Sequence, residues 1–157
     1  MAHYNLSDQK KLIANIPSVE KCEKYLANVI RLEVEELIPV VNRRMVEIRN
    51  QDGEINSAHS RDVEQPVIIE KLAICLAAYE QTLKNKYAGR IRPQIDTRGF
   101  IDTVDSMMQK KTRSDGFQKL QQLGLEEFLF EHVVIENPEV FSEEAVHKSI
   151  RRIAELG

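Results

Sequence analysis

Residues 66–85 read PVIIEKLAICLAAYEQTLKN, and this stretch decides the fold class. Pro66 suits the first turn of a helix, where its missing N–H would have no partner anyway. From residue 67 onward, apolar side chains cover almost the whole circumference of a helix, which is typical of a helix surrounded by other helices. We therefore predict a central apolar helix at about 67–85.

Upstream, residues 18–49 repeat apolar side chains at spacings of three and four, the pattern of one buried helical stripe. Ser18 is placed to cap this helix. Pro39 interrupts it, because a proline inside a helix removes a hydrogen bond and clashes with the carbonyl four residues earlier. The pattern predicts a long helix at about 18–49 with a kink or a break near Glu36.

We predict the remaining elements from helix caps, from helix-breaking Gly and Pro residues and from the spacing of apolar residues. Residues 6–16 predict a short first helix with Ser7 as its N-cap, and the polar residues 50–65 predict an exposed loop. The next predictions are an ordered loop around Gly89 and Pro93 and a helix from Phe100 that ends among Lys110, Lys111 and Arg113. A further helix is opened by a capping box at Asp115 and Gln118 and closed by Gly124, and another covers Leu125–Glu136. The last helix runs from about Glu143 to Leu156, is capped by Ser142 and buries Val146, Ile150 and Ile153.

Composition agrees with a helical protein. The chain has six glycines and five prolines in 157 residues, well below the roughly 12% of an average protein, so it has few residues for the turns of a β-sandwich. Hydrophobic residues make up 42%, enough to build a core. We predict an all-α compact bundle of about six or seven helices. It forms a single domain over 1–157, with a smaller C-terminal helical subdomain at 112–157 as the alternative division.

The N-terminus lacks the apolar region of a secretory signal, and the longest apolar stretch, Leu72–Tyr79, is too short to cross a bilayer. The two cysteines, Cys22 and Cys75, lie within apolar helical patterns, where a free thiol acts as a small hydrophobe. These features predict a cytoplasmic protein that does not enter a membrane.

Motifs for chemistry are scarce. The sequence contains no phosphate-binding glycine loop and no nucleophile elbow. Its four histidines, His3, His59, His132 and His147, do not have the spacing of a helical metal site. We accordingly expect no cofactor and no resident metal, and a protein that is more plausibly not an enzyme.

Two carboxylate pairs, Glu33 with Glu36 and Asp102 with Asp105, are spaced to share a helix face. Facing pairs of this kind could hold Mg²⁺, and Arg90, Arg92 and Arg98 could hold phosphates. The arrangement resembles that of all-α nucleotide pyrophosphohydrolases, which implies a Mg-dependent enzyme. The sequence departs from that family in the Asp at the start of the second pair and in the long connection between the pairs.

Charge is distributed unevenly behind a net charge of −3. Residues 84–113 hold eight cations against three anions, whereas residues 114–145 hold eight acids against one lysine. In one interpretation the basic segment binds an anion or a partner; in the other it pairs with the acidic segment. The candidate binding residues are Lys84, Lys86, Arg90, Arg92, Arg98, Lys110, Lys111 and Arg113.

Our leading hypothesis is a non-enzymatic protein that acts by protein–protein contact, as a regulator, an adaptor or an oligomeric scaffold. Its opposed charge segments suit a complementary interface with a protein partner or with another copy of itself. The alternative is nucleic-acid binding through 84–113, with Arg43 and Arg44 as helpers, although the acidic pI near 5.9 is unusual for such a protein. The Mg-dependent enzyme is the third hypothesis.

Overall fold

The apolar stretch that begins at Pro66 forms a helix from Pro66 to Leu83 in the computed structural model. The structure describes residues 5–53, 55, 57–83, 88–110 and 115–156. The α-helices of these residues are α1 (Leu6–Ala14), α2 (Val19–Arg31), α3 (Ile38–Asp52), α4 (Ser60–Val63), α5 (Pro66–Leu83), α6 (Ala88–Arg98), α7 (Phe100–Met108), α8 (Asp115–Gln122), α9 (Phe130–Glu136) and α10 (Glu143–Ala154). Two 3₁₀ helices cover Glu35–Leu37 and Glu126–Phe128. The described residues contain no strand, so the all-α prediction is confirmed. The ten α-helices exceed the predicted six or seven, because shorter helices occupy two predicted loops and because a predicted long helix is broken.

Helix α5 is the central helix, as predicted. It contacts α3 on one side and α7, α8 and α9 on others. The ring of Tyr79 stacks on that of Phe130 with 4.8 Å between their centroids. Phe100 and Phe117 belong to the same core, so residues on both sides of position 112 share it. The division at 112–157 stays a prediction.

The predicted long helix at 18–49 is two helices. Helix α2 ends at Arg31, and Glu33 has a φ of 58°, which cannot continue a right-handed helix. Pro39 then lies in the first turn of α3, where its missing N–H leaves no intrahelical bond unmade. The predicted helix is therefore broken rather than kinked. Helices α2 and α3 pack against each other, and together with α1 they surround a second, smaller core.

Some of the predicted helix caps are confirmed, and one is wrong. The hydroxyl of Ser18 accepts a hydrogen bond from the Lys21 N–H and caps α2, as predicted. Helix α1, however, is capped by Asn5, whose side chain accepts from two backbone N–H groups, and not by Ser7. Gly124 follows α8 with a φ of 72°, as predicted. The predicted cap at Asp115 lies outside the side chains that the structure describes.

Two predicted loops contain helices. Within 50–65, α3 continues to Asp52 and the short α4 follows. The predicted loop around Pro93 is helix α6. Ile91 and Ile95 are both buried, and their spacing of four places them on one helix face. Burial of that face outweighs the hydrogen bond that Pro93 removes.

The core-facing side of the last helix agrees only in part with the predicted one. Ser142 caps α10, as predicted. Val146 and Ile153 are partly buried and pack against the core, as predicted, whereas Ile150 is 49% exposed. The fully buried residues of α10 are Ala145, Ser149 and Arg152, and the side chain of Arg152 lies 3.6 Å from the buried Glu131 on α9.

None of the helices that the structure describes is both long enough and apolar enough to span a membrane.

Candidate functional site

The structure describes four of the eight predicted binding cations, and they lie in different surroundings. Arg90 and Lys110 are exposed. Arg92 is half-buried and pairs with Glu80 at 2.6 Å. Arg98 is exposed and lines a surface cleft. The other four, Lys84, Lys86, Lys111 and Arg113, lie outside the described residues.

None of the four described cations pairs with those acids of segment 114–145 whose side chains the structure describes. Acids of that segment instead bind cations from other parts of the chain: Glu127 binds Arg43, Glu131 binds Arg152, and Glu136 binds Lys71. The hydrogen bond from Arg43 holds the pKa of Glu127 below its usual range. Arg43 is thereby engaged within the fold, although it was predicted as a nucleic-acid helper. Its neighbour Arg44 binds Glu47 and the carbonyl of Ile16.

A polar cleft of about 500 Å³ lies where the end of α6, helix α7 and the segment before α10 meet. We call it the arginine cleft. It is lined by Arg61, Arg98, Asp102, Asp105, Ser106, Gln109, Val140, Phe141 and Ser142. Arg98 belongs to the predicted binding residues, and Asp102 and Asp105 to the predicted carboxylate pairs.

One wall of the cleft is positioned by Asp62, a residue that is only 3% exposed. It accepts hydrogen bonds from the N–H of Phe100 at 2.7 Å and of Ile101 at 3.0 Å, the first turn of α7. Gly99 precedes that turn with a φ of 94°, a backbone conformation that glycine adopts at little cost. Because Asp62 is anchored in this way, the preceding residue, Arg61, lies at the mouth of the cleft.

The opposite wall is joined to α7 through Asp105. One carboxylate oxygen of Asp105 accepts from the Ser142 N–H at 2.6 Å, and the other accepts from the Ser142 hydroxyl at 2.8 Å and from the Gln109 amide. This negative charge lies at the N-terminus of α10, where the helix dipole favours it. Asp105 therefore holds Ser142, the N-cap of α10, in place.

The two arginines of the cleft differ in what they bind. Arg61 forms an ion pair with Asp102 and also donates to the carbonyl of Val140. Arg98 makes no hydrogen bond or ion pair with any residue that the structure describes. A guanidinium has five N–H donors and keeps its charge at neutral pH. Arg98 therefore presents charged N–H donors at the cleft that no described residue accepts.

The carboxylates of the predicted magnesium site do not converge. Glu33 lies in the turn after α2 and Glu36 in a 3₁₀ helix, so the two do not share an α-helical face as predicted. Asp102 and Asp105 line the arginine cleft. Within the described ranges, no three or more His, Cys, Asp or Glu side chains are grouped so that they could hold a metal ion.

Both cysteines are buried and free. Burial raises the pKa of the Cys22 and Cys75 thiols above their ordinary value. Since the thiolate is the reactive form, neither side chain is suited to nucleophilic catalysis. This agrees with the expectation that both act as small hydrophobes.

Several residues of the cleft were missed by sequence reasoning. Arg61 lies in a polar stretch that resembles a loop, and its partners Asp102 and Val140 are far away in the chain. Ser106 and Gln109 follow Asp102 at spacings of four and seven, and that spacing, which places them on one face of α7, was the available signal.

Comparisons of the chain with protein-family models, with curated proteins and with solved structures found no match. The function is therefore inferred from the fold and from the arginine cleft.

Proposed function

We propose that this is a non-enzymatic cytoplasmic protein that acts by protein–protein contact, as a regulator, an adaptor or an oligomeric scaffold. Its contact surface is the exposed basic side of α6 together with the arginine cleft. The partner is an acidic protein surface, on another protein or on a second copy of the chain. The free, buried cysteines support the assignment to a reducing compartment.

One observation carries the proposal: Arg90 and Arg98 pair with no described residue, although the chain has an acidic segment. Pairing within the fold would have used these charges to stabilise the protein itself. Both side chains are instead exposed on the same helix. Exposed arginines are well suited to bind carboxylates of a partner, because the planar guanidinium can donate two parallel hydrogen bonds.

Exposed apolar side chains on α4 and α5 favour a protein as the partner. Val63 and Val67 are each 62% exposed. Val63 lies two residues beyond Arg61, on the short helix α4 that packs against α5 and α7. Protein interfaces commonly combine an apolar centre with a polar, charged rim, and this part of the surface offers both.

The test is a capture experiment with the full chain immobilised and the lysate treated with nuclease. The variant carries Arg90→Glu and Arg98→Glu, and the matched control carries Lys10→Glu and Lys21→Glu, two exposed lysines on α1 and α2. We expect a protein that is retained by the wild type and by the control and lost from the variant. Sedimentation velocity of the same three chains tests whether the partner is a second copy.

Retention of the same proteins by all three chains, with an unchanged sedimentation coefficient, would contradict the proposal. A variant that loses its partner because it unfolds is recognised by circular dichroism, which should be the same for all three chains.

Nucleic-acid binding is the second candidate, and the exposure of both Arg90 and Arg98 on one helix favours it. It predicts that binding of an oligonucleotide weakens steeply as salt is raised, because the displaced counterions dominate such affinity. It also predicts that the charge-reversed variant loses the oligonucleotide. Binding that is unchanged in that variant would exclude this candidate.

A further inference from the structure

We infer that the arginine cleft is a binding site for a single oxyanion group, a carboxylate or a phosphate, on a side chain of a protein partner. The inference rests on the proposed function and deepens it, since it names the chemical group that the basic surface recognises.

The cleft has hydrogen-bond donors that the fold does not use. The guanidinium of Arg98 makes no hydrogen bond or ion pair with a described residue, and neither does the hydroxyl of Ser106, which lines the same cleft. Arg61 donates hydrogen bonds to Asp102 and to the Val140 carbonyl. These two contacts fix the plane of its guanidinium, and the other N–H groups of the guanidinium stay available. A ligand group with several acceptor oxygens would satisfy these donors.

The negative groups of the cleft already have hydrogen-bond partners. Asp102 is bound by Arg61, and both oxygens of Asp105 accept hydrogen bonds from Ser142, the N-cap of α10. The guanidinium of Arg98, in contrast, has neither a counterion nor a hydrogen-bond acceptor among the described residues. An oxyanion held between Arg98 and Ser106 would supply that counterion, and Arg98 could bind it in a bidentate manner.

The surroundings of the cleft favour an isolated acidic group over a polyanion. Glu139 and Glu143 are exposed and lie next in sequence to Val140 and Ser142, two lining residues. A nucleic-acid backbone would bring several phosphates close to these carboxylates and be repelled. A single acidic side chain flanked by basic or neutral residues avoids that repulsion, and its basic neighbours could pair with the two glutamates.

The test uses the full chain and three blocked peptides that differ only at the central residue between two lysines: glutamate, phosphoserine or glutamine. Binding is followed by the ¹H–¹⁵N NMR signals of the Arg98 and Arg61 side chains and of the Ser106 backbone. We expect saturable shifts of these signals with an acidic peptide and much weaker ones with the glutamine peptide. The acidic peptide that binds more tightly identifies the group as carboxylate or phosphate.

Arg98→Gln should weaken the binding of the acidic peptide by about tenfold or more, since it removes a charge-assisted contact. Arg31→Gln, which removes an exposed arginine on α2 that does not line the cleft, should leave the affinity unchanged. The inference fails if neither acidic peptide shifts these signals, if both variants weaken binding equally, or if a short oligothymidine binds through the same signals more tightly than the peptides.

The two proposals can fail separately. If no peptide binds but charge reversal still removes the captured protein, the inference is wrong and the proposed function stands. If peptides bind at the cleft while the captured proteins do not depend on Arg90 and Arg98, the proposed function is wrong and the oxyanion site remains.

Discussion

Replacement of Asp62 by alanine should destabilise the protein more than any surface substitution. Its carboxylate accepts hydrogen bonds from the N–H groups of Phe100 and Ile101, and both of those residues are fully buried. Gly99, the N-cap of α7, has no side chain that could take over. In Asp62→Ala two buried donors therefore lose their acceptor.

The expected loss follows from these contacts. A buried donor left without a partner costs about 1–3 kcal/mol, and the loss of a helix cap costs about 1 kcal/mol. Because the two descriptions overlap, we expect the free energy of unfolding to fall by about 2–4 kcal/mol. Asp62→Asn, whose amide oxygen can still accept from one N–H, should cost less, about 1–2 kcal/mol.

Urea denaturation followed by circular dichroism measures both values. The matched control is Asp52→Ala, which removes an exposed aspartate at the end of α3 and should change stability by less than about 0.5 kcal/mol. If Asp62→Ala is as mild as this control, Asp62 does not hold the start of α7, and the reasoning about how Arg61 is placed at the cleft is refuted.

Three further predictions concern the core. Arg152→Met should lower the free energy of unfolding by about 3–5 kcal/mol, since it leaves the buried carboxylate of Glu131 without its guanidinium; a urea midpoint equal to that of the wild type would contradict this. Gly116→Ala should also be destabilising, by roughly 1–3 kcal/mol, because a Cβ there would overlap the buried ring of Tyr79; a melting temperature at or above that of the wild type would show that the ring can move. The Cys75 thiol should react with a disulfide reagent only after denaturation, since burial raises its pKa; rapid reaction of the native protein at neutral pH would contradict its burial.

Much of the fold could be predicted because its signals are local. The apolar circumference of α5 and the caps Ser18 and Ser142 depend on residues within a turn or two of one another. Helix α6 could not be predicted, because Pro93 argues locally against a helix, while Ile91 and Ile95 are buried only when α6 packs into the main core.

The face of α10 illustrates the same limit. Apolar spacing favoured Ile150 as a buried residue, yet Arg152 is buried in its place because it meets Glu131 on another helix. A charged residue is expected at the surface unless a partner is known, and the sequence does not show which of its many acids that partner is.

The candidate site was predicted in part. The sequence singled out Arg98, Asp102 and Asp105 for different reasons, and the structure places all three in one cleft. Arg61 could not be found, since its place depends on the buried carboxylate of Asp62 and on contacts about 40 to 80 residues away.

We propose that Arg98, which pairs with none of the residues that the structure describes, binds an acidic partner. The most direct measurement compares the proteins that the wild type, Arg98→Glu and Lys10→Glu chains retain from a nuclease-treated lysate, quantified by mass spectrometry. We predict a protein that the wild type and the Lys10→Glu chain retain equally and that the Arg98→Glu chain loses. The same retained proteins on all three chains, or none above background on any of them, would contradict the claim.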